Sequence, residues 1–210
     1  MRAKLTIACL VLAGCSQAPE NKPGAAPAKP AHTSQAPDVF RVNLDTSKGA
    51  VVLEITRAWA PLGVQHFYEL VNNGYYDGDR FYRVVPRFVV QFGINGDPKV
   101  SQLWSTLRIP DDPVKQKNRK GAVTFATSGP GARTTQIFVN MRDNLPLDRQ
   151  GFAPIGRVAE GMDVLERLYS YGDMPPRGGG PDGAEIERQG NVYLDNHYPR
   201  LDYIKKATVQ

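Results

Sequence analysis

Cysteine is nearly missing from this chain: it has two in 210 residues, Cys9 and Cys15. Everything after position 15 lacks a thiol, which excludes a disulfide framework and cysteine chemistry there. Histidine is almost as scarce. His32, His66 and His197 stand far apart with no ligand spacing, so a metal centre has no support. No apolar run is long enough to cross about 30 Å of hydrocarbon as a helix. Long blocks of like charge are also missing. The short basic group Lys115, Lys117, Arg119 and Lys120 reads as a solvated loop. Of the net charge of +5, Arg2, Lys4, Lys22, Lys29 and Glu20 account for +3, so the chain after Pro37 is close to neutral. Intermixed, near-neutral charge argues against a nucleic-acid partner.

The N-terminus reads as an export signal. Arg2 and Lys4 precede an apolar run from Leu5 to Ala13, and Leu12-Ala13-Gly14-Cys15 closes it. The tetrad resembles a bacterial lipobox, which implies a signal peptide over 1–14 and lipidation of Cys15. The plainer reading is an ordinary signal peptide with Cys15 a bystander. Residues 15–37, with Pro19, Pro23, Pro27, Pro30 and Pro37 among Ala, Lys, Gln and Ser, have no face to bury. They are expected to form a disordered tether. A single domain over 38–210 follows, large enough to be held by its core alone.

Within that domain Phe40, Val42 and Leu44 alternate with polar residues, as do Val51, Leu53 and Ile55, with a turn at Ser47-Lys48-Gly49. This predicts a hairpin with one buried face. Pro61 and Gly74 bracket a helix with Val64, Phe67 and Val71 inward and His66 at a surface or interface. Short strands are predicted at 80–85, 88–92, 121–126, 135–140 and 153–158. A second helix is predicted from Gly161 to Tyr169, a short one at Val192–Tyr198 and a last strand near Leu201–Thr208. Many short strands with few helices indicate a mainly β sandwich or barrel. Residues 94–120 and 170–190 read as long loops. Gly178-Gly179-Gly180-Pro181-Asp182-Gly183 fits G-x-G-x-x-G formally but joins no strand to a helix, so it reads as flexible loop and no cofactor is expected. Ser128 has no triad motif around it.

One stretch is informative on its own. In Phe81-Tyr82-Arg83-Val84-Val85-Pro86-Arg87-Phe88-Val89-Val90-Gln91, Arg83 shares a strand face with Phe81 and Val85. A guanidinium so placed either pairs with a buried acceptor or awaits a ligand that brings one. Gln91, two residues after Val89, can hold it still. Parity puts Phe88 opposite Val89 unless the Pro86-Arg87 step bends the chain.

This segment resembles the F-x-R-x-x-P-x-F-x-x-Q signature of the cyclophilin family of peptidyl-prolyl isomerases. Two further blocks agree in order and spacing: Thr124-Phe125-Ala126-Thr127-Ser128-Gly129-Pro130 with Thr135-Gln136-Ile137-Phe138-Val139, and Leu147-Asp148 with Phe152-Ala153-Pro154-Ile155-Gly156-Arg157-Val158. The resemblance implies a closed antiparallel β-barrel of about eight strands capped by two α-helices. It implies Arg83 as catalytic donor with Gln91 orienting it, and a proline pocket of Phe88, Val89, Phe138 and Leu147. Ala126 and Thr127 would pair with bound peptide through their backbone, and Gln136 would reach a substrate carbonyl. Without it, the aromatic and aliphatic members would be core, Arg83 a structural ion pair and Gln136 a polar strand residue. The chain departs from the pattern at Tyr82, where the family often has His, at Val89, often Met, and at Pro146, often Trp. The pocket His is missing, with Gly151 or Phe152 in its place. The loss of that Trp at Pro146 implies weak binding of cyclosporin-type inhibitors.

The expected activity is isomerisation of X-Pro bonds in exported, incompletely folded polypeptides, by a monomer lipid-anchored outside the cytoplasm of a bacterium, on the periplasmic side if there are two membranes. The alternative is a tethered proline-peptide binding module or chaperone with weak turnover.

Overall fold

The computed structural model describes residues 34–210. The expected signal peptide, Cys15 and the expected tether up to residue 33 lie outside the described residues. Ala36, just ahead of the domain boundary read from composition, is already buried, and its N–H donates to Gln65 Oε1 at 2.8 Å.

The hairpin forms as its alternation dictates. Strand β1 (Val39–Thr46) turns at Gly49, φ 130°, into β2 (Gly49–Thr56). Phe40 faces Ile55, Val42 faces Leu53 and Leu44 faces Val51, all buried. The short strands β3 (Arg83–Val85), β4 (Val89–Phe92), β5 (Ala122–Phe125), β6 (Ile137–Asn140), β7 (Pro154–Glu160) and β8 (Ile204–Val209) complete one antiparallel sheet in the order β3-β4-β6-β5-β7-β2-β1-β8. Val84, Val90, Val139 and Val123 lie in register across four strands and point into the core. The residues on either side of them therefore point outward.

The sheet curls but does not close, which corrects the expected barrel to an open half-barrel. The edge strands are β3 and β8, and Arg80↔Tyr203 is the isolated bridge recorded between their approaches. The chain ahead of Arg80 is a series of turns, with Gly78 at φ 78°. A ladder cannot grow through such backbone, and β3 has three residues to offer.

The helices also differ from the expected pair of caps. The described residues hold five: α1 (Pro61–Asn72), α2 (Pro98–Ser105), α3 (Met162–Glu166), α4 (Gly183–Gln189) and α5 (Asn191–His197), with a 3₁₀ turn over Leu145–Gln150. α1 lays Val64, Phe67, Leu70 and Val71 on the core. His66 is also buried, at 5 % exposure, rather than at a surface. Its ring lies 6.0 Å from those of Trp104 and Phe125. α2 and α4 fall inside segments read as loops. Each starts at an aspartate whose carboxylate accepts from the first turn, Asp97 from Lys99 and Asp182 from Ala184. α4 and α5 build a second small core with Tyr82, Ile94, Ile186, Leu194 and Leu201 beside the β3 edge. That core carries the C-terminal segment to the groove described next.

Candidate active site

The outward row next to the core valines is Arg83 opposite Gln91 and Gln91 opposite Phe138, on three adjacent strands. It forms the floor of a groove of about 1000 Å³. Every groove residue expected from the sequence lines it: Arg83, Phe88, Val89, Gln91, Ala126, Thr127, Gln136, Phe138 and Leu147. The chain bends at Pro86-Arg87, where Arg87 adopts φ 59° and the Phe88 N–H donates to Val85 O at 3.0 Å. This turn brings Phe88 and Val89 to the same groove despite their adjacent positions.

The guanidinium of Arg83 is fixed at two edges. Its Nη1–H donates to Gln91 Oε1 at 2.9 Å and its Nε–H to Asp173 Oδ1 at 2.6 Å. It also lies over the Phe88 ring, 5.4 Å from the centroid. No acceptor for Nη2 is recorded among the described residues. Arginine carries five fixed N–H groups, so donors remain for the groove.

Gln91 is itself held. Its Nε2–H donates to the Tyr82 hydroxyl at 2.9 Å and to Gln136 Oε1 at 3.0 Å, while Tyr82 O–H donates to Gln136 Oε1 at 2.7 Å. Burial pushes the Tyr82 phenol well above its usual range, and nearby Asp79 adds to this. Tyr82 therefore stays a protonated donor at any ordinary pH. With Gln136 Oε1 committed to this network, the amide's free chemistry toward the groove is its N–H donors.

The apolar end holds Phe88, Val89, Phe138, Leu147 and Phe152. Phe152 stacks edge-on against Phe138 with centroids 5.7 Å apart. Of the two candidates for the missing histidine position, Phe152 lines the groove. Gly151 forms the left-handed C-cap of the 3₁₀ turn, φ 85°. A buried amide network underlies this rim. Asn118 donates from its side chain to Asp148 Oδ1 at 2.9 Å and to Phe152 O at 2.8 Å, and Asn144 donates to Phe88 O at 2.9 Å. Beside it, the Ala126 N–H is taken by Gln136 O at 2.9 Å, which leaves its carbonyl free for other use. Thr127 folds its hydroxyl back on Gly129.

Sequence reasoning missed other residues that line the groove: Ser105 at the end of α2 and Arg108 beyond it, Asp173, Met174 and Arg177, and Glu187 of α4. Asp173 is the main omission. Burial raises the pKa of its carboxyl, but the hydrogen bond and charge of Arg83, the Met174 N–H and Arg177 together lower it below the usual value. It is thus a stable anion beside the guanidinium. Among the described residues no group of three His, Cys, Asp or Glu side chains is placed to hold a metal ion.

Comparison with known proteins agrees with this geometry. The family described as "Cyclophilin type peptidyl-prolyl cis-trans isomerase/CLD" matches residues 41–179. Peptidyl-prolyl cis-trans isomerase cyp18 of Streptomyces antibioticus is 36% identical over 147 residues, covering 65% of this chain and 87% of that one. Peptidyl-prolyl cis-trans isomerase A of Dickeya dadantii is 34% identical over 139 residues, covering 60% and 70%. The crystal structure of a Cryptosporidium parvum cyclophilin-type isomerase superposes with a TM-score of 0.58 at 18% identity, covering 82% of this chain and 98% of that one. Cyclophilin AquaCyp293 from Hirschia baltica gives 0.57, also at 18% identity, covering 82% and 77%. The chain belongs to the cyclophilin-type peptidyl-prolyl isomerases, whose members bind proline-containing peptides.

Proposed function

We propose that this groove isomerises X-Pro bonds with Arg83 as the donor. Rotation about the bond must overcome about 18–20 kcal/mol because it breaks amide resonance. At the half-turned state the prolyl nitrogen regains a lone pair. A hydrogen-bond donor aimed at that lone pair binds the twisted state better than either planar state, and this difference lowers the barrier. Phe88, Val89, Phe138, Leu147 and Phe152 would hold the ring while the preceding carbonyl swings. The Gln136 amide N–H and the Ala126 carbonyl would hold the peptide on either side. No proton is transferred and no cofactor is called for.

The observation that carries this reading is the placement of a guanidinium, oriented by Gln91, in the same groove as the apolar side chains of Phe88, Val89, Phe138, Leu147 and Phe152. Arg83→Ala should lower kcat/KM on short X-Pro peptides by about 100-fold, the scale for losing one transition-state donor. A variant as active as wild type refutes the role of Arg83. The Asp173 ion pair favours a second reading, a proline-peptide binder with weak turnover, because it offsets part of the donor's charge. Peptide binding by wild type without acceleration decides for that reading.

The clients in this proposal are exported polypeptides in the course of folding. The supporting features lie in the N-terminal sequence: Arg2, Lys4, the apolar run and Leu12-Ala13-Gly14-Cys15. Acylation at Cys15 by more than one chain would give lasting attachment, and residues 16–37 would serve as tether. Intact-mass analysis of the membrane fraction tests this, and an unmodified Cys15 refutes it.

A further inference from the structure

We infer that Asp173, held in place by the glycine run Gly178-Gly179-Gly180, is a positioning residue for isomerisation; the inference rests on Arg83 being the donor proposed above. A guanidinium held at one edge can still pivot about that contact. Gln91 takes one edge of Arg83 at Nη1, and Asp173 takes a second at Nε, so the plane is defined and Nη2 is left for the groove. The Arg83 side chain is 12 % exposed and that of Asp173 17 %, so solvent screens the pair only in part.

The backbone carrying Asp173 is built for this placement. Gly172 bridges Val84, the residue after Arg83, and the Ser170 hydroxyl donates to Val84 O. The carboxylate is locked from behind. Oδ1 also accepts from the Met174 N–H at 2.8 Å, and Oδ2 accepts from Arg177 Nε at 3.0 Å. The glycine run then folds back on the same residue. The Gly180 N–H donates to Asp173 O at 2.9 Å. A side chain on Gly178 would collide with the Asp173 carbonyl oxygen, and one on Gly180 would come within 2.9 Å of it. Gly178 and Gly180 thus let the backbone close on Asp173, while Gly179 faces open space.

The test measures kcat and KM separately on a short X-Pro peptide for wild type, Asp173→Ala, Asp173→Asn, Gly178→Ala and Arg83→Ala, and for Asp173→Ala combined with Arg83→Ala. Asp173→Ala should lower kcat about tenfold with KM within twofold of wild type, the pattern of an interaction used in the transition state. Asp173→Asn should recover most of the loss, because its amide oxygen still accepts from Nε. Gly178→Ala, which keeps the carboxylate but displaces its backbone, should repeat the kcat loss. Asp173→Ala should not matter once Arg83 is alanine. Wild-type or higher kcat in Asp173→Ala overturns the inference, as does a loss that persists in full beside Arg83→Ala. A fully active Arg83→Ala overturns the parent reading instead, and is recognised from that single variant.

Discussion

Tyr82 shows how one side chain can serve two structures. Its ring is 1 % exposed and anchors the small core of α4 and α5, while its hydroxyl closes the Gln91–Gln136 network in the groove. The family pattern often has histidine here, and a histidine would not carry the same reach. Tyr82→Phe keeps the packing and removes one donor and one acceptor. It should cost about 1 kcal/mol of stability, the net value of a buried hydrogen bond. It should lower kcat/KM several-fold, because Gln91 and Gln136 lose their common partner. Unchanged kinetics with unchanged urea stability would show the network to be idle. The sequence made half of this site legible. Arg83, Phe88 and Gln91 fall within one short motif whose period-2 alternation defines a face. Asp173 pairs with Arg83 across 90 positions, and nothing local to either residue announces the partner. Tyr82 was visible only as a departure, since its hydroxyl acts on the strand β4 and on Gln136, 54 positions away.

At the scale of elements, α1 is a helix without its own cap. Ala60 at its N-cap has no side-chain oxygen, and Pro61 removes one N–H from the first turn. The missing acceptor comes from the segment after α2. Asp112 Oδ1 accepts from Leu62 N–H at 3.0 Å and Oδ2 from Gly63 N–H at 2.8 Å, a carboxylate at the positive end of the helix dipole. The same Oδ2 accepts from buried Arg133 Nη2 at 3.1 Å. Arg133 immediately precedes Thr134 of the groove wall, so one carboxylate ties α1, the long connection and the groove together. Asp112→Ala leaves Arg133 charged and buried with its main partner gone, and should cost about 3–5 kcal/mol. Urea denaturation measures this, and a loss below 1 kcal/mol would mean that Asp111, 3.4 Å from Arg133 Nε, compensates. The starts of α2 and α4 were missed: Asp97 before Pro98, and Asp182, are capping residues, but each helix is brief enough for its segment to read as a loop. The Asp112 cap was not legible, because its target lies 50 positions upstream.

At the scale of the whole molecule, burial pushes a carboxyl and an imidazole, Asp79 and His66, toward their uncharged forms. The pairing of β1 with β2 was readable from alternation, whereas the order of the remaining strands and the gap between β3 and β8 were not, because edge contacts depend on turns such as Tyr75–Arg80 that carry no strand period. Asp79 is buried in that turn; among the described residues no donor meets either oxygen at full hydrogen-bond geometry, although the Gly93 and Arg80 N–H groups lie near enough to act on its charge. Burial pushes its pKa well above the usual carboxylate range, against the weaker pull of Gly93 N–H, Arg80 N–H and the Arg80 charge. His66 is the opposite case. Burial lowers its pKa, helped slightly by the Arg133 charge and opposed by a hydrogen bond involving the Thr134 backbone and by the charge of Glu69. The folded protein therefore binds fewer protons at His66 than the unfolded chain. The stability from His66 is complete above the ordinary value of 6.5 and is lost as pH falls through the depressed folded value. At Asp79 the folded state binds the extra proton, so acidification adds stability until the unfolded carboxyl also titrates near 3.8. The two terms oppose each other in the wild-type curve, and His66→Phe separates them. The stability of this variant relative to wild type should rise as pH is lowered from 7.5 to 5.5, by at most about 1.4 kcal/mol per pH unit below 6.5, the limit for one proton. Urea midpoints across that range, converted with a common slope, give the difference directly. A difference that stays level would place the His66 proton on both states alike. That outcome would require water or a carboxylate at its Nε2, which has no hydrogen-bond partner among the described residues.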